Sequence, residues 1–191
     1  MEIKLLTKMK YILSLLIVTL VFSCTNEQLS KEEIKTYTLK GKEIAQATVK
    51  KLGSNLMKQM KAGGVKQAIP FCNVSANPLT DELSKKHNVT IKRTSHKLRN
   101  EDNKPNEAET KILEQYLASI SKGEKLKPIV SKDKAGKVHF YAPMKVQGKC
   151  LACHGTVSKQ TDSIIKSLYS NDKATGFKEG DFRGVMSITF N

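Results

Sequence analysis

Tryptophan is absent, and all aromatics together make up only 6% of the chain. The single thiol pair, Cys150 and Cys153, has no second C-x-x-C or H-x-x-x-H pair to accompany it. That absence excludes a four-ligand zinc site of the usual spacing. No collagen-like period, low-complexity tract or internal repeat is present, which excludes fibrous and solenoid architectures. Acidic residues are also scarce, 18 against 33 lysines and arginines, yet the lysines are spread along the chain rather than blocked. No constellation of acid–base groups around an open site is visible, so the chain is not expected to be an enzyme such as a peroxidase.

What is present centres on Cys150, Cys153 and His154, which spell C-x-x-C-H. In c-type cytochromes two thiols so spaced add across the haem vinyl groups, and the adjacent histidine becomes an iron ligand. A thioredoxin-like redox pair is the rival reading, but it needs no trailing histidine and expects a strand-to-helix setting. Gly148 and Lys149 make this motif loop-like instead. The motif therefore predicts covalently attached haem c.

The N-terminus predicts a matching compartment. Lys4, Lys8 and Lys10 form a basic segment ahead of an apolar run over residues 11–22, too short to span a bilayer comfortably. The run ends in Val21-Phe22-Ser23-Cys24, which resembles the lipobox of bacterial lipoproteins, although Phe22 is bulkier than the commonest residue there. On that resemblance residues 1–23 are a signal peptide, Cys24 is lipidated, residues 24–30 are a tether, and residues 31–191 form one domain. An ordinary cleaved signal with a stray cysteine is the alternative. In both cases the domain faces the cell envelope outside the cytoplasm, anchored to the membrane by lipid in the first. Removing residues 1–23 takes away three lysines and one glutamate, lowering the formal charge from +15 to +13. Nucleic acid is not expected as a partner in this compartment. The charge serves solubility, anionic headgroups or an acidic protein partner.

Cysteine accounting leaves Cys72 over. It is either a buried inert thiol, which packs like a small hydrophobe, or a ligand to iron from the face opposite His154. Among rival ligands, His87 and His96 suit capping or surface roles. His139 is out of phase with the apolar stripe of its strand, and Met144 and Met186 are in phase with packing residues. Arg93 and Arg99 are candidates to neutralise haem propionates, because their planar forks match carboxylates; a solvated salt bridge is the alternative.

Along the chain, Ile34, Tyr37, Gly41, Ala45, Val49, Leu52, Leu56 and Met60 recur at steps of three or four, predicting a long amphipathic helix stopped by Gly63-Gly64. Pro70 is expected to break or kink the next segment, and Asn77-Pro78 to start a helix closed by Asn88. A strand over residues 89–94 and a helix from near Pro105 to Gly123 follow. Strands over 128–131 and 137–146 flank a turn at 133–136, then come a helix over 163–169 and a last strand over 183–190. Helices first and a hairpin-built sheet second predict α+β. Only 37 residues follow His154, whereas small helical electron carriers usually bind haem near their start.

From about Ile44 onward the chain resembles the PAS-like single-haem c-type domains found as extracytoplasmic sensors. The likeness rests on Ala68 to Ala76 around Cys72, Arg93-Thr94-Ser95, Arg99-Asn100, Pro105-Asn106 and Cys150 to His154. Leu168-Tyr169, Asp172, Ala174-Thr175-Gly176 and Gly180 to Gly184 complete it. Pro70 and the missing proline after Asn100 depart from the pattern. The resemblance implies a PAS-like antiparallel sheet with flanking helices, and haem iron held by His154 and Cys72. It also implies a redox or diatomic-gas sensor; a kinase or chemoreceptor module often follows such domains, and none follows here, so no output module is expected in this chain. The alternative of a different class is a periplasmic electron carrier, for which six-coordinate haem and a basic docking face suffice. Either reading calls for a protein redox or signalling partner.

Overall fold

The computed structural model describes residues 28–191. The predicted signal peptide and Cys24 therefore lie outside the described residues. Helix α1, Lys31–His87, opens on a reciprocal cap: Ser30 Oγ accepts from Glu33 N at 3.2 Å, while the Glu33 carboxylate accepts from Ser30 N at 2.8 Å. Its helical geometry fails at Gly63 and Gly64, where φ of Gly64 is +64°, and then resumes. The expected stop is there: two helices meet at Gly63-Gly64, and Lys51 Nζ reaches Glu82 at 3.0 Å because the second folds back along the first.

The second half corrects two expectations. Pro70 and Pro78 both lie inside it, and Asn77 caps nothing. A proline deletes one i→i−4 bond and crowds the preceding turn. Here burial of Ala68, Ile69, Thr80 and Leu83 on one face outweighs that local cost. The helix ends where Asn88 adopts the left-handed conformation, φ 51°, and its N–H reaches the Ser84 and Lys85 carbonyls. In the first half the buried face is Gly41, Ile44, Ala45 and Thr48, while Val49 is 49% exposed, so the stripe is narrower than its spacing implied.

Four strands follow: β1 Val89–Thr94, β2 Ile129–Lys132, β3 Val138–Lys145 and β4 Phe182–Phe190. They form one antiparallel sheet in the order β1-β4-β3-β2, so the last strand lies between the first and third. Helix α2, Glu107–Ser121, separates β1 from β2. Between β3 and β4 run the four-residue α3, Leu151–His154, and α4, Lys159–Leu168, which starts four residues earlier than its apolar pattern suggested because Ser158 caps it. The fold is α+β.

Helices cover both faces of the sheet. Against α1 pack Val89, Ile91, Phe140, Met186 and Ile188 with Ile44, Ala45 and Leu83. Gly41 permits that contact, since a Cβ there would fall 2.3 Å from the Phe140 ring. On the other face Leu113 and Tyr116 of α2 meet Phe182 and Val185. His139 does point away from the α1 core, hydrogen-bonding Thr189 Oγ1 at 3.0 Å and Asp133 at 2.9 Å. β4 also closes tightly on the end of β1. Gly184 has φ +143°, and a Cβ there would lie 2.2 Å from the Thr94 carbonyl.

Candidate functional site

The chain from Val146 to Asp181 leaves the sheet and returns to it, and its ends are tied together: Val146 N donates to Asp181 O and Gly180 N to Val146 O, both at 2.9 Å. Inside this excursion a 3-10 turn, Gly148–Cys150, leads directly into α3. The two thiols diverge. Cys150 packs with Val146, Ala174 and Phe177, whereas Cys153 packs with Ile69 of α1 and with Ile165 and Tyr169. Both are half-buried.

His154 is fixed by a backbone acceptor. Its Nδ1 lies 2.7 Å from the Ala174 carbonyl, which only accepts, so Nδ1 carries the proton and Nε2 keeps the lone pair. Burial first, then the positive charges of Arg183 and Arg99, depress its pKa to about 3. At neutral pH the ring is an uncharged imidazole with Nε2 as its donor atom. This is the tautomer that metal-ligating histidines use, with the other ring nitrogen donating to a backbone carbonyl.

The segment carrying the acceptor is itself stitched down. Phe177 N donates to His154 O at 2.9 Å, Gly176 N to Gly155 O at 3.0 Å, and Lys173 N to Leu98 O at 2.7 Å. Arg99 binds the same segment: Nε and Nη2 donate to the Asp172 carboxylate at 3.0 and 3.3 Å, and Nη2 reaches Ala174 O at 3.3 Å and also Cys153 O at 2.7 Å. The ion pair is nearly closed to water, with side chains 13% and 3% exposed. Arg99 thus forms a buried ion pair rather than the solvated salt bridge weighed as its alternative.

Cys72 lies one turn beyond Ile69 on α1, and its thiol is pushed up chiefly by burial, further by Cys153, with Arg93 and Arg99 opposing. Arg93 is in phase with Val89 and Ile91 on the α1 side of the sheet, opposite Met186. Its guanidinium is buried, which pushes its pKa down, and Nε has no hydrogen-bond partner. The fold therefore brings Cys72, Cys153, Arg93 and Arg99 within electrostatic reach of one another.

Several neighbours were given no role from the sequence, though Tyr169 and Arg183 carry part of the resemblance. Arg183 donates to Lys97 O at 3.1 Å, lies over the Phe177 ring at 5.3 Å, and is pushed down to about 10 by burial and by Arg99. Lys97 reaches Thr175 O at 2.6 Å and the same ring at 4.4 Å. Tyr169, its phenol pushed up chiefly by burial, is within electrostatic reach of Cys72, Arg99 and Arg93. A signal existed for one site arginine: Arg93 continues an apolar alternation, which marks a buried charge. For Ala174, whose backbone does the work, no side-chain signal exists.

Against three arginines this region sets one buried carboxylate, Asp172. A buried positive excess with an orphaned Arg93 Nε suits a ligand carrying negative groups. Together with an imidazole lone pair and three thiols, the donor set suits an anionic metal-bearing cofactor. Met186, by contrast, is 1% exposed within the α1–sheet core.

An α+β chain with this donor set falls within a known family. The family model described as Tll0287-like matches residues 23–191, and the chain belongs to that family. Among solved structures it is similar to the crystal structure of the cyanobacterial haem protein Tll0287, with a TM-score of 0.59 and 22% identity over 85% of this chain and 96% of that one. No curated protein matches the chain.

Proposed function

We propose that this chain binds haem c covalently through Cys150 and Cys153, with His154 Nε2 as one iron ligand and Cys72 Sγ as the other. The observation that carries the reading is the His154 Nδ1 bond to Ala174 O, which leaves a neutral imidazole beside two divergent thiols. The match to a family that includes a haem protein supports the cofactor. Arg93 and Arg183 are the partners suited to the two propionates, since Arg99 already has Asp172. The position of β4 between β1 and β3 supports a PAS-like description of the sheet.

Bound haem would supply a one-electron couple, and the protein sets how that couple behaves. His154 is held neutral and oriented by its backbone acceptor. Cys72 Sγ is the proton-holding atom of the site, because burial favours its thiol over its thiolate. A positive charge held next to that sulfur would favour the thiolate over the buried thiol, so protonation of Cys72 would be coupled to the charge of the bound group. That coupling favours a redox or diatomic-gas sensor, anchored through lipid at Cys24 on the outer face of a membrane. An electron carrier, docking an acidic partner through its surplus of lysines, is the second reading. It is favoured by the net charge of +13 that remains without residues 1–23.

A denaturing gel stained for haem tests attachment: the band is expected in the parent and absent from the Cys150→Ala, Cys153→Ala protein, and a band in the latter refutes attachment. Electron paramagnetic resonance tests the sixth ligand. Cys72→Ala should convert a low-spin ferric signal to high spin or to a substitute ligand, and an unchanged signal would falsify cysteine ligation.

A further inference from the structure

We infer that Arg99 and Asp172 form a positioning pair that sets the electron-donor strength of His154 through the shared carbonyl of Ala174. The inference rests on the haem reading above and goes beyond it, because neither side chain is there given any part in tuning the iron.

Ala174 O accepts two hydrogen bonds, from His154 Nδ1 at 2.7 Å and from Arg99 Nη2 at 3.3 Å. A carbonyl that already accepts from a cation is a weaker acceptor for a second donor. The Nδ1 proton is then drawn less strongly from the ring, and Nε2 donates less to whatever it binds. Asp172 works the other way: its carboxylate accepts from Arg99 Nε and Nη2 and partly offsets the guanidinium charge. Asp172 Oδ1 also accepts from Ala174 N at 3.1 Å, so one carboxylate holds both the cation and the residue whose carbonyl that cation shares with His154. Arg99 meanwhile donates to Cys153 O, the carbonyl just before the ligand residue. The pair thus fixes both the main chain that carries His154 and the oxygen that orients it. Burial of both side chains keeps water from substituting for either.

Arg99→Gln removes the charge but keeps an amide donor, and Asp172→Asn removes the opposing charge but keeps the Ala174 N acceptor. Lys97→Gln is the comparison, since Lys97 Nζ binds Thr175 O in the same segment and leaves Ala174 O alone. In the haem-loaded full chain two quantities are read: the reduction potential and the proton resonance of His154 Nδ1–H. A better donor favours ferric iron, so Arg99→Gln should shift the ferrous-to-ferric ratio at fixed potential toward ferric by about tenfold, or 59 mV for one electron. Asp172→Asn should shift it in the opposite direction. The Nδ1 proton should move in both variants, in opposite senses, and stay in place in Lys97→Gln. Equal displacement of that proton in Lys97→Gln, or displacement in neither variant, overturns the inference and leaves the haem reading standing. If Arg99→Gln does not fold, Asp172→Asn against Lys97→Gln decides alone. A parent protein that takes up no haem overturns both.

Discussion

The sheet and the excursion from Val146 to Asp181 are held together by different physics. In the sheet, Phe140, Val185 and Ile188 are fully buried, and each makes interchangeable contacts with several apolar neighbours. The excursion contains two short helices and a 3-10 turn, and its path depends on a side chain that donates to its backbone oxygens, Arg99 to Cys153 and Ala174. Apolar cores tolerate swaps of similar volume, whereas a forked cation bridging named carbonyls has no substitute. Stability is therefore expected to reside mainly in one region, and the accuracy of the site in the other.

The harshest way to break that division is a lesion in the core. Phe140→Ala removes a fully buried ring packed on Gly41 and should cost about 3–5 kcal/mol of global stability, read by urea unfolding. The His154 ring proton should nevertheless keep its resonance in the folded fraction. A displaced resonance would mean that the sheet, not the excursion, sets the site.

The converse lesion is Asp172→Ala, which strands Arg99 as an uncompensated buried cation and should cost about 3 kcal/mol. Here the effect should be local. Hydrogen exchange should quicken at residues 153–155 and 172–177 while amides of β3 and β4 keep their protection. Equal loss across the sheet would show that the two regions unfold as one unit.

The same division decides what could be read from the sequence. Alternation in residues 138–146 and 186–190, Pro105 near a helix start and Asn88 at a helix end predicted the strands and helix ends, because each is a local preference agreeing with the tertiary core. Pro70 and Pro78 misled because packing of Ile69 and Leu83 overrode a local rule. The spacing of Cys150, Cys153 and His154 was legible because one turn of chain contains all of it. Asp172 and Ala174 reach His154 across about 20 residues, through a backbone oxygen and a salt bridge whose partner lies 73 positions away. No spacing rule encodes such a link. Arg93 was legible as a candidate, and its phase with Val89 and Ile91 is what marks it as buried.

Acid sharpens the comparison from the side of the excursion. In haem-free protein, made with Cys150→Ala and Cys153→Ala, His154 is held neutral to about pH 3, chiefly by burial and then by Arg183 and Arg99. Above pH 6.5 folded and unfolded chains are both neutral at this ring, so stability does not change with pH on its account. Below that value the unfolded chain takes up a proton that the folded chain refuses, and stability falls as the pH drops from 6.5 toward 3. Between pH 7 and pH 5 the loss should be about 2 kcal/mol, read from urea midpoints. His96, also lowered mainly by burial, adds a change of the same sign. His154→Gln in that background should flatten most of the slope. An undiminished slope would move its origin away from the excursion.

The smallest expected effect comes from a charge pair that belongs to the excursion by position but not by physics. Lys166 Nζ lies 2.7 Å from Asp162 on α4, at the favourable i,i+4 spacing, yet the side chains are 63% and 37% exposed. Water and salt screen such a pair, and holding a long lysine in one rotamer offsets part of its attraction. Lys166→Ala should therefore change stability by no more than about 0.5 kcal/mol, and still less in high salt. Neither the reduction potential nor the His154 ring proton should respond. A response in either would show that α4 carries strain into the Tyr169–Cys153 contact, and that sensitivity in this region extends past the buried arginines to its surface.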